Sequence, residues 1–540
     1  MLSSVGMLLL MAACFLMAGC QKEGQGMQLI AEGFNGSKAA VEGLNSFWVN
    51  GETVNINGVE KTVVVDGSTA YITDVAAADH YRALYPDTLN STAALNGDDV
   101  TVLIPRTYTY RESNGRQFLG VPMAAYGTSD SRLLFKHLTA ALTVEIKNIY
   151  GFTIEVDSVV VSSNSYQLSG NKGITLAESI TVNPDSSEVA AADKRVKVCF
   201  NGGTSLRILS GQTRSVQVPV LPVGDDNRFT IAIGIHKVDA PEVNLVFCRT
   251  QGNSQASYAL ARRQMGFAGV TLGGAFSSTS TKKVIISQGN LTYVPNTGEW
   301  AFHSHQYDIC EIGLIDSTTR YIASGSLPID LFGFGTSGYN NMYPYMTSKT
   351  STDYVAPASS LAKTNYDWGW HNAISNGGNA AGQWYTLPYQ EWQYIFNTRS
   401  TITSGINGNA TTRYTYATLG GERKGIIIFP DEYTHPATAT VSGAVFNNCS
   451  DFTATVTYDD WAKMEAAGAV FLPAAGFRNT KNGQSVGCHQ ILEPVSGKYW
   501  SASSNSKSKA YRFLFYRDGA LDYGTDERHF GMSVRVVKDL

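Results

Sequence analysis

Between Met27 and Leu272 the sequence alternates short apolar runs with turn-forming residues. Runs such as DDVTVLIP, TIEVDSVVVSS and RFTIAIGIHKV are rich in β-branched and aromatic residues, which is typical of strands. Gly, Asn, Asp or Pro stands at many of the connections, and little helical periodicity interrupts the series. The pattern predicts β-sandwiches, and a turn-rich break near Asn148–Gly151 divides the region into two halves of sandwich size.

After this region the pattern changes. GGAFSSTSTKK, at residues 273–283, is typical of a linker, and beyond it strands mix with long loops rich in Tyr and Asn. A turn is expected at Pro295–Gly298. One helix is predicted over Tyr389–Arg399, with Trp392, Ile395 and Phe396 on one face, and another from an N-cap at Asp459 to Gly468. The mixture predicts an α+β domain.

One strand near the C-terminus has an ordered face and an irregular face. Tyr511, Phe513 and Phe515 alternate with polar and mixed positions, so one face is expected to be aromatic core. The other face shows no charge pairing that stability would require. Tyr and Arg give large contacts that include hydrogen bonds, which suits recognition. The candidate contact residues are Arg512, Tyr516, Arg517, Asp518, Asp522, Tyr523, Asp526, Glu527 and His529. The alternative is an ordinary solvated strand and loop.

Composition agrees with a strand-rich protein. Hydrophobic residues make up 43% and charged residues 16% of the chain, the latter below the roughly 25% of ordinary soluble domains. The net charge is −4 and basic runs are absent from the sequence. A nucleic-acid partner is therefore not expected.

The first twenty residues indicate export. VGMLLLMAACFLMAGC is an apolar stretch too short to span a bilayer, and it ends in small residues before Cys20. Leu16–Cys20 resembles a bacterial lipobox, in which the cysteine is lipidated and becomes the new N-terminus. No Lys or Arg precedes the apolar run, which suggests that a few starting residues are missing. We expect a membrane anchor made by lipid on Cys20 and no membrane-spanning helix.

The expected fold class is multidomain, with mainly β sandwiches followed by an α+β domain. The expected divisions are a lipoprotein signal peptide at 1–20, sandwiches at 21–148 and 149–272, a linker at 273–283 and a head domain at 284–540.

The sandwich region resembles a known family. LNSFWVNGETVNING, ALYPDT, GVPMAAYG and LLFKHLTAALTVEIKN occur in that order, and the last carries Phe135, His137, Ala140 and Leu142. These segments resemble the fimbrillins, surface lipoproteins of Bacteroidetes. The resemblance implies two sandwiches that serve as a pilus subunit or a surface platform. Polymerising fimbrillins lose an N-terminal strand after an arginine, yet no arginine lies between Cys20 and Arg82. A terminal subunit or a stand-alone lipoprotein is therefore expected.

The head domain resembles a second family. DLFGFGTSGYNNMYPYMTS, NYDWGWHNAISNGGN, GQWYTLPYQEWQYIFNTR and the final KYWSAS…GMSVRVV are similar to Bacteroidetes surface domains with a C-type-lectin-like fold, shared with formylglycine-generating enzymes. In some relatives the segment between KYWSAS and GMSVRVV is diversified by retroelements. The resemblance implies a scaffold that presents a variable binding face. The scaffold positions are Tyr499, Trp500, Tyr511, Phe513, Phe515, Gly531, Ser533, Val534 and Arg535.

Several chemical motifs are weak. GFGTSG (Gly333–Gly338) matches a phosphate-binding pattern but lacks a following helix, so a Gly-rich turn is expected. His303 and His305, with Asp308 nearby, lack a clear third metal ligand, and surface histidines are the expected interpretation. A calcium site is not expected, because the Trp-Asn-Asp segment of sugar-binding lectins is missing. Cys488 stands alone in the last stretch, so the catalysis of formylglycine-generating enzymes is not implied.

Five cysteines remain after the signal peptide and Cys20. Export permits disulfides, and Cys199–Cys248 could join two strands of one domain. The pairing of Cys310, Cys449 and Cys488 stays open.

The sequence therefore predicts a lipid-anchored, surface-exposed adhesin of the outer membrane, or a fimbrial tip subunit, without cofactor, metal or catalysis. Its expected partners are a host or bacterial surface protein or a glycan, and other fimbrial subunits. Two alternatives stay open. One is a structural terminal fimbrial subunit without a ligand of its own, and the other is a polysaccharide-processing enzyme, which would need paired carboxylates across a cleft.

Overall fold

The computed structural model of the 540-residue chain describes residues 26–32, 48–67, 69–89, 95, 97–113, 116–128, 132–200, 205–250, 259–310, 320–400, 406, 412–443, 451–479, 496–517 and 519–540. These residues form several separate β-sheets with few and short helices, so the expected multidomain, mainly β fold is confirmed. The predicted signal peptide at 1–20, including Cys20, lies outside the described residues. No helix within the described ranges is both long and apolar enough to cross a bilayer.

An eight-stranded sheet forms the first unit. The strands up to residue 137 are β1 Met27–Ala31, β2 Thr53–Ile56, β3 Val59–Thr62, β4 Val64–Asp66, β5 Thr69–Ile72, β6 Tyr81–Tyr85, β7 Asp99–Ile104, β8 Thr107–Thr109, β9 Arg111–Ser113, β10 Arg116–Phe118, β11 Met123–Gly127 and β12 Arg132–His137. The sheet order is β3-β2-β6-β11-β12-β1-β5-β4. Alternate residues, such as Leu133 and Phe135, are buried in one core because successive strand side chains face opposite ways.

Two facing sheets form a second sandwich. Its strands are β13 Ala140–Ile149, β14 Ile154–Ser163, β16 Arg195–Cys199, β17 Leu206–Ile208, β18 Thr213–Val220, β19 Phe229–Lys237, β20 Ala240–Thr250 and β21 Met265–Gly273. The strand between β14 and β16 in the sequence, β15 Gly170–Thr175, pairs with β7 instead. One sheet has the order β18-β13-β21, and the other has the order β20-β19-β14-β16-β8, with β17 beside β14. Val144 of the first sheet and Val159 and Ile233 of the second share one apolar core.

The boundary expected at residue 148 needs correction. It falls near the end of β13, and β13 pairs along its length with β18 and β21 of the second sandwich. The turn-rich break at Asn148–Gly151 connects β13 to β14, which lies in the facing sheet. A turn between two sheets of one sandwich has the same composition as a boundary between domains. The second sandwich therefore already includes Ala140.

The Cys199–Cys248 pairing is also corrected. Cys199 forms no disulfide and is buried. It lies on β16, while Cys248 lies on β20, and the strands β14 and β19 separate them in the sheet. Three strand spacings amount to about 14 Å, and a disulfide requires Cα atoms within about 7 Å. Strand order, which the sequence does not state, thus excludes the bond.

A mixed C-terminal unit, residues 274–540, carries the remaining elements. They are β22 Phe276–Ser277, β23 Lys283–Ile286, β24 Leu291–Val294, β25 Glu299–Phe302, α1 Trp368–His371, β26 Tyr385–Thr386, α2 Tyr389–Gln393, β27 Tyr414–Leu419, β28 Arg423–Ile428, β29 Ala454–Val456, α3 Tyr458–Ala466, β30 Val470–Pro473, β31 Ser496–Ser504, β32 Lys509–Tyr516, β33 Gly519–Glu527 and β34 Val536–Asp539. The sheets are β22-β23-β34-β26, β24-β25, β29-β27-β28-β30 and β31-β32-β33. β22 and the buried Phe276 belong to this unit, although 273–283 was expected to be a linker.

The helices follow the predicted faces, with one change at an end. α2 continues as a π-helical turn over Tyr394–Thr398, and Trp392, Ile395 and Phe396 are buried as predicted. The N-cap of α3 is Thr457 and not Asp459, because the Thr457 hydroxyl accepts a hydrogen bond from the Asp460 N–H at 3.1 Å. A capping oxygen accepts from the second or third helical N–H, which places the cap two residues earlier than expected.

The second sandwich packs directly on the C-terminal unit, at a contact that we call the junction. Lys237 of β19 and Glu465 of α3 form an ion pair of 2.5 Å with side chains only 2% and 3% exposed. The Tyr150 hydroxyl donates to the Ala466 carbonyl at 2.5 Å. A Cβ on Gly151 would lie 2.0 Å from the Ile286 carbonyl oxygen, so only glycine permits this approach. The two units are therefore closely interlocked here.

Candidate functional site

The predicted recognition strand lies in the middle of a three-stranded sheet. β32 pairs with β31 on one side and with β33 on the other. Phe513 and Phe515 are buried, and the Tyr499 ring stacks on Phe513 with centroids 5.0 Å apart. The aromatic inner face predicted from the alternation is confirmed for these two residues. Tyr511 is only partly buried, and it stacks on Tyr389 at 4.6 Å.

Arg512 does not project freely from the outer face. Its guanidinium donates to the Asp522 carboxylate at 2.7 Å and to the Asp526 carboxylate at 3.1 Å. Asp526 also accepts from the Lys498 ammonium at 2.9 Å. Arg512 is buried, and the hairpin register brings the two aspartates of β33 beside it. These charges therefore neutralise one another within the sheet.

Three further candidates are held by neighbouring parts of the unit. Tyr523 is partly buried and packs edge-on against Tyr389, and burial raises the pKa of its hydroxyl. The Glu527 carboxylate accepts from the Ser351 hydroxyl at 2.7 Å, and His529 Nδ1 lies 2.8 Å from the same hydroxyl. Burial lowers the pKa of His529. These side chains attach the loop around Ser351 to the sheet.

The exposed candidates gather at one end, which we call the hairpin tip: Tyr516, Arg517 and Asp522. Tyr516 is 41% exposed, and the Asp522 side chain is 50% exposed although it pairs with Arg512. Asp518 lies outside the described residues. Seven residue steps along β32, roughly 23 Å, separate the tip from the Lys509–Glu527 end. The structure therefore does not unite the nine candidates on one open surface.

A second exposed surface is the tyrosine loop, residues 337–346. Tyr339 and Tyr343 are 39% and 41% exposed. Tyr343 stacks on Tyr345 with centroids 5.3 Å apart and ring planes 6° from parallel, and its hydroxyl donates to Asn341 Oδ1 at 3.0 Å. Tyr339 packs edge-on against Tyr366 at 5.1 Å. Two exposed aromatic rings are thus fixed by their neighbours.

The backbone of this loop is as constrained as its rings. Asn340 and Asn341 have φ of 52° and 62°, the left-handed region that asparagine tolerates better than most residues. The Met346 carbonyl accepts from the Arg478 guanidinium at 3.2 Å and from the Tyr354 hydroxyl at 3.3 Å. The sequence indicated this loop only by its Tyr and Asn content. The signal that could have located its turn is the Gly-Tyr-Asn-Asn run, because Gly and Asn are the residues suited to positive φ.

The glycine-rich motif before the loop is a packing element. A Cβ on Gly333 would lie 2.2 Å from the Tyr354 ring, and only a short 3₁₀ turn at Tyr339–Asn341 follows the motif. A phosphate site of this type requires a helix whose N-terminal N–H groups meet the anion. The Gly-rich turn predicted from the sequence is confirmed.

The histidines of the HSHQYD motif have different partners. His305 Nδ1 lies 3.1 Å from the Asp308 carboxylate, and its ring stacks on Tyr307. His303 Nε2 lies instead 3.2 Å from Asp330 Oδ2 and 3.9 Å from Cys310 Sγ. Burial and the Asp330 carboxylate raise the pKa of the Cys310 thiol well above its usual value. Asp330 was not a candidate, because 27 residues separate it from His303 in the sequence.

Comparisons with known proteins give distant structural likenesses only. No protein-family model matches the chain, and no curated protein matches its sequence. A proposed cell adhesion protein from Bacteroides ovatus aligns with 46% of this chain and 92% of its own, at 9% identity and a TM-score of 0.27. A proposed cell adhesion protein from Bacteroides fragilis aligns with 46% and 93%, at 12% identity and a TM-score of 0.24.

A longer alignment is similarly remote. A fimbrial protein from Bacteroides ovatus aligns with 96% of this chain and 100% of its own, at 10% identity and a TM-score of 0.19. Scores of this size do not establish a shared fold or activity. The function is therefore argued from the chain's own residues.

Proposed function

We propose that the chain is a non-catalytic cell-surface adhesin whose C-terminal unit binds a protein or glycan partner. The observation that carries this proposal is the pair of exposed tyrosines, Tyr339 and Tyr343, on a loop whose backbone and rings are both constrained. An aromatic ring that is already ordered loses little conformational entropy on binding. Its flat face stacks on apolar surface or on the C–H face of a sugar, and its hydroxyl supplies a hydrogen bond.

The hairpin tip supplies a second contact region in this proposal. Tyr516, Arg517 and Asp522 offer an aromatic ring, a cation and a carboxylate at one end of the β32–β33 hairpin, which is the mixture typical of recognition surfaces. The remaining candidates act as support: Arg512 and Asp526 stiffen the hairpin, and Glu527 and His529 hold the Ser351 loop. The lectin-like character expected from the sequence motifs is part of the same proposal.

The proposed location is the outer membrane surface, with lipid on Cys20 as the anchor. The apolar stretch that ends at the lipobox supports this location. The first sheet and the second sandwich then act as a stalk that presents the C-terminal unit. The distant likeness to fimbrial proteins agrees with this location but adds no weight to it. A direct check is metabolic labelling with a fatty-acid analogue, which should label the wild-type chain and not Cys20→Ala.

Binding is tested with the full chain displayed on cells. The readouts are adhesion to a panel of epithelial and bacterial cells and retention on a glycan array. Tyr339→Ala with Tyr343→Ala, and separately Tyr516→Ala with Asp522→Ala, are compared with Tyr458→Ala, a control tyrosine that is 37% exposed on α3. At least one double variant should lose tenfold or more in binding while the control keeps it, since few residues carry most binding energy. Equal binding by all variants would overturn the proposal.

A second candidate, a structural fimbrial subunit, is favoured by the position of β1. This N-terminal strand lies inside the first sheet, parallel to β12 and antiparallel to β5, and not at an edge. Its removal would leave a slot that a neighbouring strand could fill. Copurification of the chain with fimbrial subunits would favour this function if a synthetic peptide with the β1 sequence prevents it and the same peptide with Leu29 replaced by Pro does not. If the chain does not copurify with fimbrial subunits but does mediate adhesion, the adhesin function is favoured.

A further inference from the structure

A cluster of three different metal-ligand side chains lies in the C-terminal unit and includes none of the residues of the two exposed surfaces discussed above. His303 follows β25, Cys310 lies in the loop after it, and Asp330 precedes Leu331 in an extended segment. One donor atom from each residue, a ring nitrogen, the thiol sulfur and a carboxylate oxygen, lies within 4.8 Å of the other two. Chain segments that are distant in sequence thus bring three donors to one point.

The fold holds these donors in place from several sides. Asp330 adjoins Ile329, which forms a β-bridge with Tyr293 of β24. His303 follows the partner strand of the same hairpin, and its carbonyl accepts from the Gln288 amide at 3.2 Å. The Cys310 N–H donates to Asp330 Oδ2 at 2.8 Å. The three donor atoms therefore sit on short side chains, and the backbone that carries these side chains is held by hydrogen bonds.

The separations suit a tetrahedral ion. Zinc bonds of ~2.3 Å to sulfur and ~2.0 Å to nitrogen or oxygen place neighbouring ligand atoms about 3.3–3.6 Å apart. The His303 nitrogen lies 3.2 Å from the Asp330 oxygen and 3.9 Å from the Cys310 sulfur. The Cys310 sulfur and the Asp330 oxygen lie within 4.8 Å of each other, so the sulfur would have to move closer to the other two donors to hold an ion.

The donor types select the class of metal. Sulfur and imidazole nitrogen favour zinc and similar transition-metal ions, whereas calcium and magnesium require mostly oxygen ligands. A thiolate and a carboxylate together neutralise a divalent charge. Asp330 is 1% exposed and Cys310 is 8% exposed, so an ion here would be shielded from bulk water. Arg320 and Asp308 are the other charged groups that influence Cys310, and they have opposite signs.

We propose that His303, Cys310 and Asp330 form a binding site for a zinc-class divalent ion, with a solvent molecule completing the tetrahedron. Three protein ligands and one open position are a common zinc arrangement. The ion would tie β25, the following loop and the Asp330 segment together, and so stabilise this side of the unit. This metal-site proposal does not depend on the proposed adhesion surfaces, and its test is separate from theirs.

Cobalt is the probe, because a tetrahedral cobalt–thiolate site absorbs visibly and reports both ligand type and geometry. The purified full chain is titrated with Co²⁺ under reducing conditions. We expect one ion per chain, a sulfur-to-cobalt charge-transfer band in the near ultraviolet, and displacement of the colour by Zn²⁺. A wild-type chain that shows no thiolate band, or binds cobalt only through other residues, would overturn the proposal.

Variants assign the site to these residues. Cys310→Ser should abolish the charge-transfer band, and Asp330→Asn, which keeps the side-chain shape, should weaken binding by more than about tenfold. Cys199→Ser, which removes a buried thiol on β16, should leave the spectrum unchanged. Circular dichroism verifies that each variant is folded. If Cys310→Ser misfolds, the folded Asp330→Asn chain decides the outcome, and unaltered cobalt binding in it would count against the site.

Discussion

The junction and the three-stranded sheet both contain a cation paired with a carboxylate, yet the two clusters differ in burial. At the junction the Lys237 and Glu465 side chains are almost inaccessible, and Glu465 also accepts from Gln306 at 2.9 Å. In the sheet Arg512 is buried, but its partner Asp522 is half exposed to solvent. Water screens the second cluster and cannot reach the first.

The difference shows that similar charge pairs have different roles according to their depth. A buried pair has given up hydration on both sides, so removing one member leaves the other without compensation. A pair at the surface can replace its lost partner with water. The junction cluster therefore acts as a structural link between units, while the Arg512 cluster orders a hairpin whose tip stays accessible.

The most severe test of this comparison removes the junction carboxylate. Glu465→Ala leaves the Lys237 ammonium buried and unpaired, so we expect a loss of about 3–5 kcal/mol in the free energy of unfolding. Denaturant unfolding followed by tryptophan fluorescence measures it. Glu422→Ala is the control, because Glu422 is 66% exposed and its loss should cost less than about 0.5 kcal/mol. Equal losses for both variants would contradict the importance of burial.

A buried carboxylate held by neutral donors sharpens the comparison. Asp367 accepts from the Thr386 N–H at 2.9 Å, the Thr386 hydroxyl at 2.8 Å and the Lys363 N–H at 3.1 Å. Burial raises its pKa to about 6 despite these hydrogen bonds. The folded chain therefore keeps a proton here that an unfolded aspartate has lost above about pH 4.

The sign of the pH effect follows from this raised pKa. The contribution of Asp367 to stability is complete below about pH 4 and is lost as the pH rises through about 6, a change of about 2–3 kcal/mol. The free energy of unfolding, measured at several pH values in wild type and in Asp367→Asn, checks it. The variant, whose side chain does not titrate, should show a flatter profile over this interval. Parallel profiles would contradict the assignment.

A smaller effect is expected in the sheet. Arg512→Ala removes the hydrogen bonds to Asp522 and Asp526. Asp522 can then bond to water, because it is half exposed, and Asp526 keeps its hydrogen bond from Lys498. We expect a loss of about 1–3 kcal/mol, below that of Glu465→Ala. Thermal or denaturant unfolding of the two variants in parallel gives the comparison. A larger loss for Arg512→Ala would reverse the order that burial predicts.

The smallest effect is expected at the hairpin tip. Tyr516→Ala should change the free energy of unfolding by less than about 0.5 kcal/mol, because this exposed ring fills no core. Phe515→Ala, one residue earlier but fully buried, should cost about 3–5 kcal/mol and serves as the internal contrast. Similar losses at the two positions would mean that the tip is part of the packed structure.

Local patterns in the sequence predicted much of the fold but little of the polar geometry. The alternation in β32 located Phe513 and Phe515 in the core, and the spacing of Trp392, Ile395 and Phe396 gave the buried face of α2 and its π-helical extension. These features depend on the period of a single element. Composition likewise predicted a strand-rich chain of several units.

The errors concern contacts between elements. Arg512 was expected on an open face, but the β32–β33 register places Asp522 and Asp526 beside it. β13 was assigned to the wrong sandwich because a turn has the same residues wherever it leads. The cysteines of β16 and β20 are apart because of strand order. Asp330 reaches His303 only through the fold, so the local sequence around either residue does not indicate that they are close.

The close approach at Gly151 has a mechanical consequence. With the Gln288 N–H donating to the Gly151 carbonyl at 3.1 Å and the Lys237–Glu465 pair nearby, the second sandwich and the C-terminal unit meet through packed backbone. A pull on the C-terminal unit, as expected for the proposed adhesin, would load these contacts. They would have to break together before the unit could swivel. In the proposed adhesin, such a joint would keep a captured partner at a set orientation to the rest of the chain.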